Sequence, residues 1–94
     1  DRADGRIVYR FRGRDLHLVL GPTTSGKAIR FVVHIDGAEP GVNHGTDVDA
    51  SGRGTVTAER LYLIVRLAGD ITMPHTVEIE FLDDGVAAYA FTFG

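Results

Sequence analysis

Short runs of this chain alternate apolar with polar residues, and the alternation recurs from one end to the other. Ile29, Phe31, Val33 and Ile35 point one way, while Arg30, His34 and Asp36 point the other. The same two-residue period returns in Leu16, Leu18 and Leu20, in Leu61, Leu63, Val65 and Leu67, and in Val77, Ile79 and Phe81. Successive side chains of a strand face opposite sides of a sheet, so each run reads as a strand with one face in a core. Gly, Asp and Pro clusters separate the runs, and no 3.6-residue period is sustained. Strands are predicted over Arg6–Arg12, Asp15–Leu20, Ile29–Asp36, Thr46–Asp49, Gly54–Thr57, Leu61–Leu67, Thr76–Leu82 and Val86–Phe93. Eight short strands at this spacing predict an all-β domain, a β-sandwich of jelly-roll type.

The punctuation between strands predicts where the chain reverses. Arg12-Gly13-Arg14 reads as a tight reversal, Asp36-Gly37 as a turn, and Pro22 to Gly26 as a looser loop. Asp83-Asp84-Gly85 is a hairpin signal, because Asp and Gly tolerate the positive φ that tight hairpins demand. Ala50 to Gly54 is expected to close a hairpin between Thr46–Asp49 and Val56.

Composition narrows the function. The 94 residues carry a net charge of -3 with both signs interspersed, which is no nucleic-acid footprint. Arg6, Arg10 and Arg12 share one exposed strand face, flanked by acidic residues, and read as a solvated edge. No cysteine is present, so a disulfide framework, thiol redox chemistry and a Cys-based zinc site are excluded on this chain. No stretch approaches the ~20 apolar residues of a membrane-spanning helix. No cofactor, catalytic residue or metal site is expected.

Three motifs look chemical and read otherwise in context. Gly21 to Lys27 (GPTTSGK) has phosphate-loop spacing, but Ala28 stands where a metal-binding hydroxyl belongs and a strand follows where a helix is needed. Asp47, Asp49, Ser51 and Gly52 have the spacing of the first calcium-loop ligands, yet Ala58 replaces the chelating glutamate. A tight turn in which the two carboxylates bond backbone accounts for them, with weak calcium binding as the alternative. Glu78 and Glu80 share a strand face but lack a facing carboxylate across a cleft. His17, His34, His44 and His75 show no paired-ligand spacing, and His44 is placed to lock its own loop.

The second faces of the strands are less polar than water would favour. Val19, Val32, Ile64 and Leu82 lie on the nominally outward side, with Tyr62 and Arg66 beside Ile64. They read as a docking face covered by further strands, a neighbouring domain or a ligand, unless the register slips at a bulge. A sugar module needs aromatic faces and planar polar groups. Tyr62, Tyr9 or Tyr89 supply the first, and Arg66, Asp47 or Asp49 the second. The candidate ligand-binding residues are therefore Tyr62, Arg66, His44, Asp47 and Asp49.

The segments Arg14–Pro22 (RDLHLVLGP), Ile35–Gly41 (IDGAEPG), His44–Asp49 (HGTDVD), Gly52–Val56 (GRGTV), Arg60–Tyr62 (RLY) and Ala88–Gly94 (AYAFTFG) together resemble the C-terminal domain of thioredoxin-like proteins. DipZ-type membrane-anchored thiol–disulfide proteins carry such a domain. The resemblance implies a jelly roll similar to carbohydrate-binding modules, following a thioredoxin-like domain that bears the reactive cysteines. It makes residues 1–94 one domain of a longer protein, whose parent is extracytoplasmic if DipZ-like and otherwise cytoplasmic. The implied partner is the upstream thioredoxin-like domain, with a glycan or a substrate protein as ligand; no nucleic-acid or direct membrane contact is implied. Two features depart from the family: the chain has no tryptophan, and Leu63 to Leu67 is unusually apolar. The expected function is a non-catalytic accessory domain, binding carbohydrate or a substrate protein, or else docking structurally on its neighbour.

Overall fold

A computed structural model describes residues 5–93, with side chains through residue 88. Its strands are β1 (Arg6–Phe11), β2 (Asp15–Pro22), β3 (Ile29–Ile35), β4 (Arg53–Val56), β5 (Arg60–Arg66), β6 (His75–Phe81) and β7 (Val86–Phe93). They form two antiparallel sheets ordered β1-β6-β3-β4 and β5-β2-β7. The alternating residues of β2, β3 and β6 meet between the sheets, where Leu16, Leu18, Leu20, Ile29, Phe31, Val33, Val77 and Ile79 are all buried. Phe31 and Phe81 pack edge to face with centroids 6.0 Å apart. The architecture is a sandwich, four strands over three.

Thr46–Asp49 is not a strand. Asp47 instead spends its carboxylate on Arg60 and on the Leu63 N–H, and Asp49 accepts from the backbone of its own turn. Such local bonds outcompete a ladder wherever Asp falls at alternate positions. The segment nevertheless lies along β5, through Gly45 N–H to the Ile64 carbonyl at 2.9 Å and Asp47 N–H to the Leu63 carbonyl at 3.2 Å. It covers an edge that would otherwise be open to other strands. Gly45 permits the approach, because a Cβ there would run into the Leu63 carbonyl. β4 pairs with β3 instead, Val56 opposite Ile29.

Most turn signals mark crossings between sheets, not hairpins. Arg12 to Arg14 carries the chain from β1 in one sheet to β2 in the other, and Asp83 to Gly85 does the same from β6 to β7. The Gly21–Lys27 loop likewise passes from β2 to β3 across the sandwich, into a strand and without a helix.

The register of β5 differs from simple alternation. Leu16 lies opposite Val65 and His17 opposite Leu63, so Ile64 is the extra residue of a bulge. Tyr62, Ile64 and Val65 are all fully buried, while Leu61 turns out to solvent. Ile64 is thus a core residue and no part of a docking face. The other three residues of that face are also separated. Val19 is half-buried on the outside of the three-stranded sheet, between Leu61 and Ala90. Val32 and Leu82 are on the outside of the other sheet. No single surface holds the four.

Candidate functional site

Tyr62 closes a corner and presents no ring face to a ligand. Its hydroxyl donates to the Ala58 carbonyl at 2.7 Å and accepts from the N–H groups of Thr57 and Ala58 at 3.1 and 3.3 Å. Its ring is sealed by the Arg60 guanidinium, 3.8 Å from the centroid. Arg60 is held in turn by Asp47, Nη2 to Oδ1 at 2.8 Å. Burial pushes the Asp47 carboxyl up, but the bonds from Arg60 and the Leu63 N–H outweigh it and hold the carboxyl below its ordinary range. Tyr62, Arg60 and Asp47 are therefore one clamp, tying the Gly45–Asp47 segment to β5.

Arg66 is committed elsewhere. Its Nε is 3.0 Å from Asp15, a carboxylate only 6 % exposed, which Arg14 also reaches at 3.2 Å. The Arg66 bond is the main reason that the Asp15 carboxyl sits below its ordinary range. His44 holds its own loop, Nδ1 lying 2.8 Å from the Gly45 carbonyl, which a proton on Nδ1 would bridge. Tyr9 is half-buried against the core, and its phenol is pushed up by burial. The Tyr89 side chain lies outside the described residues. The five predicted ligand-binding residues thus divide among a clamp, an ion pair and two turns, and they line no common cavity.

Among the described residues three recesses carry polar groups; one runs along Pro22, Thr23, Ser25 and Gly26 opposite Thr57 to Glu59, and the other two bear on the candidate residues. The first is a cleft of about 310 Å³ lined by Arg30, Phe31, Asp49, Arg53, Gly54, Thr55 and Leu82. Asp49 Oδ1 accepts from Ser51 N, Ser51 Oγ and Arg53 N at 3.0, 2.7 and 2.9 Å, the geometry of a self-bonded turn. Asp47 and Asp49 face different partners and do not converge as calcium ligands would. Arg30 forks onto Asp83, Nε to Oδ2 at 3.0 Å and Nη2 to Oδ1 at 2.9 Å. This holds the Asp83 carboxyl far below its ordinary range.

The second recess, about 230 Å³, lies at the end of the sandwich reached by the loops after β3 and β5. Asn43, Leu67, Gly69, Asp70, Met73 and His75 line it. Asn43 stands in a single 3-10 turn, Gly41–Asn43, and its side-chain carbonyl accepts from the Ala68 N–H at 2.9 Å, which joins the two loops. His75 Nδ1 is 2.6 Å from Asp36, whose carboxyl is held down first by the Thr76 N–H and then by His75. Asp36 adopts φ 52°, the left-handed conformation that Asp tolerates ahead of Gly37. On these loops three apolar side chains face water: Val42 is 81 % exposed, Met73 60 % and Ile71 44 %. Sequence alternation missed them, since they sit singly among Gly, Pro and Asp; apolar residues inside turn-forming loops were the available signal.

Among the described residues no group of three or more His, Asp or Glu is placed to hold a metal ion. Glu78, one of the paired strand carboxylates, is bound to Arg6 at 2.8 Å. The whole sequence, residues 1–94, matches the model of a family described as the thioredoxin like C-terminal domain. No curated protein and no solved structure matches the chain.

Proposed function

The chain belongs to the thioredoxin-like C-terminal domain family, and from that premise we propose that it acts by contact, docking on a polypeptide through the loop end that carries Val42, Ile71 and Met73. This reading is of a non-catalytic domain; the chain has no cysteine, and its described residues hold no metal-binding cluster. Its polypeptide partner is the thioredoxin-like domain of its parent protein or that domain's protein substrate. The observation that supports this is the exposure of Met73 at a recess walled by buried Leu67, with Val42 and Ile71 exposed on the same two loops, each next in sequence to a residue that lines the recess. Exposed apolar groups gathered at one place mark interaction surfaces. Covering each of the three contributes roughly 1 kcal/mol or more.

The connectivity supports a jelly-roll reading of the sandwich. Each connection switches sheets except that between β3 and β4, as in two interleaved Greek keys. A carbohydrate ligand is the second reading, favoured by the polar cleft beside β4 and weakened by the burial of Tyr62.

Docking is tested by NMR titration of the chain with the thioredoxin-like domain of its parent, and separately with a reduced, unfolded protein. Signals of Val42, Ile71 and Met73 should move with one of the two, and Met73→Glu should abolish the movement without lowering Tm. If neither partner moves those signals at about 1 mM, the docking reading is wrong.

A further inference from the structure

The cleft beside β4 holds polar groups that the fold leaves unused. Arg53 makes no ion pair or side-chain hydrogen bond among the described residues, and neither does the Thr55 hydroxyl. Of the other exposed arginines, Arg30, Arg60 and Arg66 are committed to Asp83, Asp47 and Asp15, while Arg12, like Arg53, has no side-chain partner among the described residues. Asp49 bonds Ser51 and Arg53 through Oδ1, the Gly52 N–H also acts on the carboxylate, and Oδ2 keeps acceptor capacity. Arg30 uses Nε and Nη2 on Asp83 and keeps Nη1.

These groups lie side by side because the ladder places them so. Thr55 is the cross-strand partner of Arg30, and Arg53 that of Val32, all on the outer face of the four-stranded sheet. Leu82, 41 % exposed, closes one side of the cleft and gives it an apolar wall.

Charge decides the ligand class. Arg30 and Arg53 are balanced by Asp83 and Asp49, and a phosphate or carboxylate entering the cleft would meet the negative charge of Asp49 in its wall. A hydroxyl both donates and accepts, so it satisfies Arg53, Thr55 and Asp49 Oδ2 together. We propose that this cleft binds a neutral, hydroxyl-rich ligand, the edge of a sugar ring, with Arg53 and Thr55 bonding hydroxyl oxygens, Asp49 Oδ2 accepting a hydroxyl proton, and Leu82 packing on the ring's C–H face. The inference rests on the carbohydrate reading and gives that reading a site. The volume, about 310 Å³, is at the small end for small-molecule sites and admits a ring from an open side.

The test is an NMR titration of the chain with two neutral trisaccharides, cellotriose and tri-N-acetylchitotriose, and with anionic trigalacturonate. At least one neutral sugar should shift the Arg53, Gly54 and Thr55 amides and the Leu82 methyls saturably, with Kd near 1 mM or tighter. Arg53→Gln and Thr55→Val should each weaken it about tenfold without lowering Tm. Both sites are exposed, and Asp49→Asn is avoided because it would also disturb the turn. Trigalacturonate binding more tightly than the neutral sugars, or an unchanged Kd in Arg53→Gln, overturns the proposal. Saturable shifts confined to another surface would refute this site and leave the carbohydrate reading standing. No shift anywhere at about 10 mM removes both. Docking is read separately, from Val42 and Met73.

Discussion

Replacing Tyr62 by phenylalanine separates a corner-forming tyrosine from a ligand-stacking one. The ring is fully buried and stays in place in the variant, as does the Arg60 guanidinium 3.8 Å above it. Only the hydroxyl is lost, and with it one donated bond to the Ala58 carbonyl and two accepted from Thr57 and Ala58. A net hydrogen bond contributes about 0.5–1.5 kcal/mol, and a partner left unsatisfied in the interior costs about 1–3 kcal/mol. Thr57 and Ala58 are exposed residues, so water recovers part of what the backbone loses. The expected destabilisation is therefore about 1–2 kcal/mol. For a chain of this length each 1 kcal/mol moves Tm by about 4–8 °C, which predicts a fall of about 5–15 °C. Urea unfolding with an unchanged m-value, together with a thermal melt, measures both quantities. A tyrosine placed to stack on a sugar would behave in the opposite way, keeping its stability and losing affinity. A loss below about 0.5 kcal/mol, the range of an ordinary surface change, would refute the corner.

Two further changes probe the devices around it. Asp15→Asn removes a buried carboxylate whose proton affinity is lowered chiefly by Arg66. We expect a loss of about 1.5–3 kcal/mol at neutral pH. Because the folded-state pKa lies below the unfolded one, Asp15 contributes fully above the ordinary carboxylate range near pH 4 and loses that contribution as pH falls through the folded value. Urea midpoints measured down to about pH 2 should fall less steeply in Asp15→Asn, and equal slopes would argue against the ion pair. Gly45→Ala drives a Cβ into the Leu63 carbonyl and should lift the loop from β5. A cost of about 1–3 kcal/mol is expected, with faster amide exchange at Gly45 and Asp47 and unchanged exchange in β6; uniform exchange throughout would contradict a local opening.

How much of this was legible in the sequence differs from strand to strand, for a physical reason. In β6 polar residues stand at every second position, and in β3 at each outward position except Val32, so Phe31, Val33, Val77 and Ile79 had one clear face to bury, and they bury it. β5 reads Leu61-Tyr62-Leu63-Ile64-Val65 with no polar residue to mark a face, and the bulge at Ile64 lets residues of both parities reach the core. A tyrosine in such a run is ambiguous until the backbone its hydroxyl meets is known, and Ala58 arrives there only because the chain crosses from β4 to β5. Turn chemistry is local in the same way. Asp83-Asp84-Gly85 states that the chain reverses, but a reversal within one sheet and a passage to the opposite sheet use the same residues and the same positive φ. What chooses between them is which distant strand completes each ladder, β2 for β7 and β3 for β6. The candidate sites follow from that choice. Arg53 faces Val32 and Thr55 faces Arg30 only because β4 takes β3 as its partner, not the Thr46–Asp49 segment nearer in sequence. Asp47 and Asp49 were visible as polar residues with work to do, and their work proved to be tying that segment to its neighbours: Asp47 to β5 through Arg60 and the Leu63 N–H, and Asp49 to the start of β4, its N–H donating to the Arg53 carbonyl and its carboxylate accepting from the Arg53 N–H.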